Sequence, residues 1–149
     1  MMNGERPQIG FQLKFINNLI RRRMDVRFSE QGLGELSGMQ GPMVGYIYDN
    51  CKKQDIFQKD IEKVFNIRRS TATVMLQNLE LKGFITRQAV EHDARLKKIM
   101  VTEKAEQYSL RIREQIDEFH RELEQGITEE EKEEFSRILD KIQQNLTKI

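Results

Sequence analysis

The sequence predicts a mainly α-helical fold with one small β-hairpin, and three observations carry that expectation. Residues 58–82 hold two apolar-periodic stretches separated by Asn66-Ile67. Gly83 stops the second stretch, and two β-rich segments follow, Phe84–Val90 and Leu96–Thr102, with the charged tip Glu91-His92-Asp93-Ala94-Arg95 between them. Longer helical stripes flank this block on both sides. Helix, turn, helix and hairpin in that order describe a winged helix-turn-helix, expected over 36–102 within a single module spanning 1–149. The flanking helices are expected over 9–28 and 103–149.

The first helix should run from Ile9 to Phe28, where Ile9, Leu13, Ile16, Ile20 and Met24 recur in steps of 4, 3, 4 and 4. Gly32 and Gly34 then break the chain. Ser37-Gly38-Met39-Gln40 has the form of a capping box opening a second helix to about Asn50. Pro42 leaves two options there: a kinked first turn, or a helix whose first residue is Pro42 itself. The first helix of the motif ends at Asn66. In the next helix, which runs to Lys82, Ala72, Leu76 and Leu79 can face a core shared with Ile61, Val64 and Phe65. After the hairpin, a helix over Glu103–Gln125 carries Tyr108, Ile112, Ile116, Phe119 and Leu123, and Gly126 ends it. Thr128 to Glu131 form another capping box, with acidic residues in the first turn. Phe135, Ile138, Leu139, Ile142, Leu146 and Ile149 continue the stripe to the last residue.

Arg68, Arg69, Ser70, Thr71, Thr73 and Gln77 stand at and beyond the N-terminal end of the second motif helix, the end that a recognition helix inserts into a major groove. Arginine can bond guanine bidentately, and Ser, Thr and Gln suit base edges and phosphates. The bland reading makes Ser70 and Thr71 helix caps and the arginines solvated. On the hairpin, Arg95 can enter a narrow minor groove. Asp93 can hold its guanidinium by a charge-assisted bond, and Lys97 and Lys98 add positive charge beside phosphate. An ordinary polar turn is the alternative. Net charge is only +1 but is divided: +3 over 1–53, +3 over 54–102 and −5 over 103–149. Positive charge thus sits with the reading module and negative charge with the C-terminal helices.

Several short motifs coincide. They are Gln58-Lys59-Asp60-Ile61 with Asn66-Ile67; Ser70-Thr71-Ala72-Thr73; Leu79-Glu80-Leu81-Lys82-Gly83-Phe84-Ile85; Asp93-Ala94-Arg95; Val101-Thr102-Glu103-Lys104-Ala105; and Ile127-Thr128-Glu129-Glu130-Glu131. Together they make the chain resemble the MarR family of transcriptional regulators over nearly its whole length. Two departures stand out. Phe57 occupies a position where the family often has a capping Thr or Ser, which leaves Asp55 as the expected cap, and Arg68 replaces a common capping Ser. The resemblance implies an intertwined homodimer held by the terminal helices and a pseudo-palindromic operator in double-stranded DNA. It also implies an aromatic or phenolic small-molecule effector, in a pocket at Met39, Met43, Tyr46 and Ile47, for which packing in the core is the plainer reading. The apolar stripes argue for a dimer independently, since such surfaces normally find a partner. One intramolecular bundle of the same helices is the blander reading.

Composition limits the remaining classes. With 38% hydrophobic and 33% charged residues the chain fits a helix-rich globular protein. No apolar run approaches the ~20 residues of a membrane helix, and MMNGERPQIG lacks a signal-peptide core, so a cytoplasmic protein without membrane association is expected. No catalytic constellation, phosphate loop or metal-spaced cluster is present; His120 and Glu124 share a helix face but make a poor site. Neither an enzyme nor a cofactor is expected. The sequence therefore reads as a sequence-specific transcriptional repressor. Two alternatives stand beside it: a winged-helix protein-interaction module, or a redox sensor acting through Cys51, whose thiol Lys52 and Lys53 could activate.

Overall fold

A computed structural model describes residues 7–148 and runs α1 (Ile9–Glu30), α2 (Gln40–Asn50), α3 (Gln58–Phe65), α4 (Arg69–Leu81), β1 (Ile85–Val90), β2 (Asp93–Val101), α5 (Glu103–Leu123) and α6 (Glu129–Thr147). It is a winged helix-turn-helix flanked by helices. The described residues fall into two compact units that divide within α5, between Ile116 and Asp117. Among the described residues, no helix is long and apolar enough to cross a membrane.

The core of the first unit gathers Met43, Val44 and Ile47 from α2, Ile61 from α3, Leu76 and Leu79 from α4, Phe84 and Ile85 at the wing's start, Ile99 from β2 and Ala105 from α5. Burial of such side chains supplies ~1.5–3 kcal/mol each against exposure. Backbone conformation then fixes how the elements meet. Asn66 sits at φ 50° and turns the chain sharply between α3 and α4. Asparagine is among the few L-residues that visit this region at modest cost. Gly83, at φ 79°, makes the equivalent turn from α4 into β1, and its carbonyl accepts a 2.6 Å bond from the Thr102 hydroxyl. That hydroxyl also accepts from the Ala105 amide, so one side chain ties the wing's exit to the start of α5. Ile56 adds a single antiparallel bridge to Ile99, extending the two-stranded sheet at its base.

Several expectations need correction. The first helix reaches Glu30 rather than Phe28, and α5 stops at Leu123 rather than Gln125. The Ser37–Gln40 capping box does not form: Met39 is the N-cap, and the Gln40 side chain is buried, accepting instead from Lys82 at 3.2 Å. Pro42 is the third residue of α2, where its missing N–H has no intrahelical acceptor to lose. Asp55 does not cap α3. The Asp60 carboxylate accepts the Phe57 amide at 2.8 Å, and Asp55 pairs with Lys98 instead. Val64 is half exposed, outside the core. The wing's turn is shorter than expected, because Asp93, Ala94 and Arg95 belong to β2 and only Glu91 and His92 form the tip. The stripe's last member, Ile149, lies outside the described residues.

In the second unit Thr128 opens α6 with both arms of the expected box: the Glu131 amide donates to the Thr128 hydroxyl at 3.2 Å, and the Thr128 amide to the Glu131 carboxylate at 2.8 Å. Lys132 pairs with Glu124 at 2.6 Å and Glu129 at 2.9 Å across the turn that Gly126 makes. The Lys132 amine is pushed up to about 12, chiefly by its hydrogen bond to Glu124, and that bond holds the Glu124 carboxyl below its usual range. A lowered carboxyl contributes order fully above its ordinary value of 4.5 and loses it as pH falls through the lowered one. The Glu124 carboxyl, followed by NMR, should therefore titrate with a midpoint below 4.5. A midpoint at or above 4.5 would show that the pair does not form.

Candidate nucleic-acid interface

Arg68 precedes α4 in an extended conformation and its side chain caps nothing. The first intrahelical amide is that of Ala72, bonded to the Arg68 carbonyl at 3.0 Å. The amides of Arg69, Ser70 and Thr71 are thus left at an uncapped, positive helix end, which favours phosphate. Arg68, Arg69, Ser70, Thr71 and Gln77 are all exposed around it. The capping role considered for Ser70 and Thr71 is not taken up.

Thr73 is different. It is half-buried, its hydroxyl donates to the Arg69 carbonyl at 2.9 Å, and it accepts from the Gln58 side-chain amide at 2.9 Å. Gln58 also reaches the Arg69 carbonyl at 3.3 Å. Thr73 therefore ties α4 to α3 rather than offering a free hydroxyl. Gln58 is a positioning residue whose partner the sequence does not reveal, because a glutamine opening a helix looks like any other. Gln58→Ala should lower stability by roughly 1–3 kcal/mol, one or two hydrogen bonds of ~0.5–1.5 kcal/mol each, and should weaken DNA binding as the start of α4 loses its tie to α3. Equal affinity in a duplex titration would remove that role. Val74, 63% exposed on α4, is a further candidate, since an apolar group there suits a thymine methyl.

On the wing, Val90 pairs with Asp93 while Ala89 pairs with Lys97, so Ala94, Arg95 and Leu96 stand outside the ladder as a bulge. Bulges re-aim side chains, and Arg95 is carried on this one, exposed. The expected bond from Asp93 to its guanidinium is not made. The Asp93 carboxylate accepts the Arg95 backbone amide at 2.9 Å, which shapes the bulge instead. Lys97 is exposed, whereas Lys98 is half-buried and pairs with Asp55 at 3.7 Å. Arg87, one-fifth exposed, pairs with Glu80 at 3.4 Å and joins β1 to α4. Its signal was present in the sequence: alternation from Ile85 puts Arg87 on the buried face, where a charge needs a partner.

The four residues expected to line an effector pocket are dispersed. Met43 and Ile47 are fully buried core, Met39 is on the surface, and Tyr46 alone borders a cavity of about 850 Å³. That cavity is walled by residues 25–49 and 108–116 and includes Asp25, Phe28, Leu33, Tyr108 and Ile112. Burial raises the Tyr108 phenol above its ordinary value, and its hydroxyl donates to the Leu33 carbonyl at 2.6 Å. Cys51 ends α2, half-buried against the core, and Lys52 is drawn to Glu106 at 3.0 Å rather than to the thiol. Among the described residues no three His, Cys, Asp or Glu side chains gather as a metal site.

Comparison with known proteins agrees with this geometry. The sequence profile of the MarR family matches residues 35–96. A chain of Clostridium acetobutylicum assigned to the MarR family of transcriptional regulators is 30% identical, over 91% of this chain and 96% of that one, with a TM-score of 0.72. A point mutant of MepR from Staphylococcus aureus superposes with a TM-score of 0.81 at 24% identity, covering 93% and 98% of the two chains. Another MepR mutant, bound to an oligodeoxyribonucleotide, superposes at 0.71 and also at 24% identity, over 95% and 99% of the chains. YybA of Bacillus subtilis, an uncharacterized HTH-type transcriptional regulator, is 29% identical over 100 residues, 67% of this chain and 65% of the length of YybA.

Proposed function

The chain belongs to the MarR family of transcriptional regulators, and from that premise we propose that it is a repressor that binds a pseudo-palindromic operator as a homodimer and is released by a small-molecule effector. The uncapped N-terminal turn of α4, with Arg68 and Arg69 exposed on it, carries the reading. Arg69, Ser70, Thr71 and Gln77 contact the major groove, Arg95 the minor groove, and Lys97 a phosphate. Occupying the operator excludes polymerase. No catalytic step and no cofactor enter this scheme. The oligodeoxyribonucleotide bound by a MepR mutant supports DNA as the partner.

Dimerisation is supported by apolar side chains that α1 and α6 leave uncovered. On α1, Phe11 is 68% and Phe15 63% exposed, and on α6 Phe135 and Leu146 are more than half exposed. Isolated exposed apolar residues are ordinary, but a run along one helix marks an interaction surface. Selection from a random duplex pool, followed by footprinting, should return a pseudo-palindrome with half-sites ~10 bp apart centre to centre. Sedimentation equilibrium should give about twice the 17.7 kDa chain mass. A pool without enrichment would favour the protein-interaction module instead, and a monomer bound to one asymmetric half-site would overturn the dimer.

A further inference from the structure

We propose that the 850 Å³ cavity takes an aromatic organic cation, with the Asp25 carboxylate as its counter-charge. The site is the effector cavity of the reading above, on which this assignment of ligand class rests.

The first argument is space. Gly45 lies in the middle of α2, one turn from Gly41, and both border the cavity. Glycine inside a helix costs stability relative to alanine. A Cβ at either position would meet no atom within 4 Å, so no close-packed neighbour requires glycine there. What the two glycines preserve is the open volume. The second argument is the wall. Tyr46 and Tyr108 line the cavity, and each is held by a second ring: Tyr46 makes an edge contact with Phe65 at 6.0 Å, and Tyr108 with Phe84 at 5.2 Å. Fixed aromatic faces attract cations through the ring quadrupole.

Charge decides the class of ligand. Three ionised side chains border the cavity: Asp25, Asp49 and Arg113. Arg113 donates to Asp49 and lies over the Tyr48 ring at 5.0 Å, so its positive charge is already matched. Asp25 has no hydrogen-bond or ion-pair partner among the described residues. Of the three, one carboxylate is left unmatched, and because Asp25 is exposed its attraction is screened by solvent. A phenolate or carboxylate would meet that charge with no free cation to hold it, whereas an ammonium or phosphonium would be attracted. The effector class implied by family resemblance thus narrows to aromatic molecules bearing positive charge.

Tetraphenylphosphonium and tetraphenylborate have the same shape and opposite charge, and calorimetric titration of the full chain with each tests the assignment. The phosphonium should bind about three- to tenfold tighter, from one solvent-screened ion pair and the ring contacts together. Asp25→Asn should remove the ion-pair share and lower the ratio by about twofold or more. Gly45→Leu should abolish phosphonium binding without lowering melting or operator affinity, and Gly41→Leu repeats that test should the first variant fold poorly. Preferential binding of the borate, absence of binding by either ion, or phosphonium affinity that survives all three variants would overturn the site. Operator release is read separately: phosphonium that binds as described yet leaves the operator occupied would keep the cation site and refute its role as effector site.

Discussion

Arg69→Ala is expected to cost ~1–3 kcal/mol at each half-site, and with the two copies of the proposed homodimer operator affinity should fall by more than about tenfold. The side chain is exposed at the uncapped start of α4, and if it reads a base edge as proposed, preference should relax at one position in each half-site while the other positions keep theirs. Arg95→Ala should fail differently. Its side chain rides on a bulge and would read groove width, so affinity should drop across all sequences. The salt dependence should become shallower by about one unit for each phosphate that is no longer neutralised. Asp93→Ala should weaken binding through the bulge, because its carboxylate holds the Arg95 amide and not the guanidinium. Titrations of matched and mutated operators over a salt series separate these patterns. Wild-type binding by both arginine variants would sink DNA reading altogether.

Phe84→Ala should give the largest loss of stability, about 3–5 kcal/mol, the usual cost of emptying an aromatic site in a core. Phe84 is fully buried where α4 passes into the wing, edge-on to Tyr108, with the Lys104 ammonium 4.6 Å from its ring centre. Its removal therefore loosens the reading helix, the wing and α5 at once. A domain with a total stability of roughly 5–15 kcal/mol has little margin for that. Thermal unfolding should shift down by roughly 6–20 °C. A shift of less than about 3 °C would mean that the core closes over the gap at little cost.

The helices were legible because their period repeats many times over. Ala72, Leu76 and Leu79 in α4 and the Thr128–Glu131 box both took the places their spacing predicted. Where one or two residues had to decide, longer-range contacts won. Gln40 completes a capping box in the sequence, yet Lys82 takes its side chain from 42 positions away. Val64 has the right spacing for the core, but α3 has only 8 residues and one fully buried side chain, Ile61. The candidate site shows the same division. Exposure of Arg69, Ser70, Thr71 and Gln77 followed from helical phase alone. The engagement of Thr73 by Gln58, of Lys98 by Asp55 and of Arg87 by Glu80 depends on neighbours that only the fold brings near. Asp93 bonds the expected residue through an unexpected group, because a side-chain bond and a backbone bond to the same arginine share one sequence pattern.

The bulge in β2 separates two jobs that a plain hairpin would couple. Side chains on a strand alternate, so adding a single residue between Lys97 and Ile99 would turn Ile99 from the core to solvent. Ala94, Arg95 and Leu96 lie outside the ladder, and a residue gained or lost among them leaves every pair from Ala89–Lys97 to Ile85–Val101 in place. The length of the wing's arm, and with it the depth to which Arg95 can reach, is therefore free to vary between related regulators without any change in the core that anchors it.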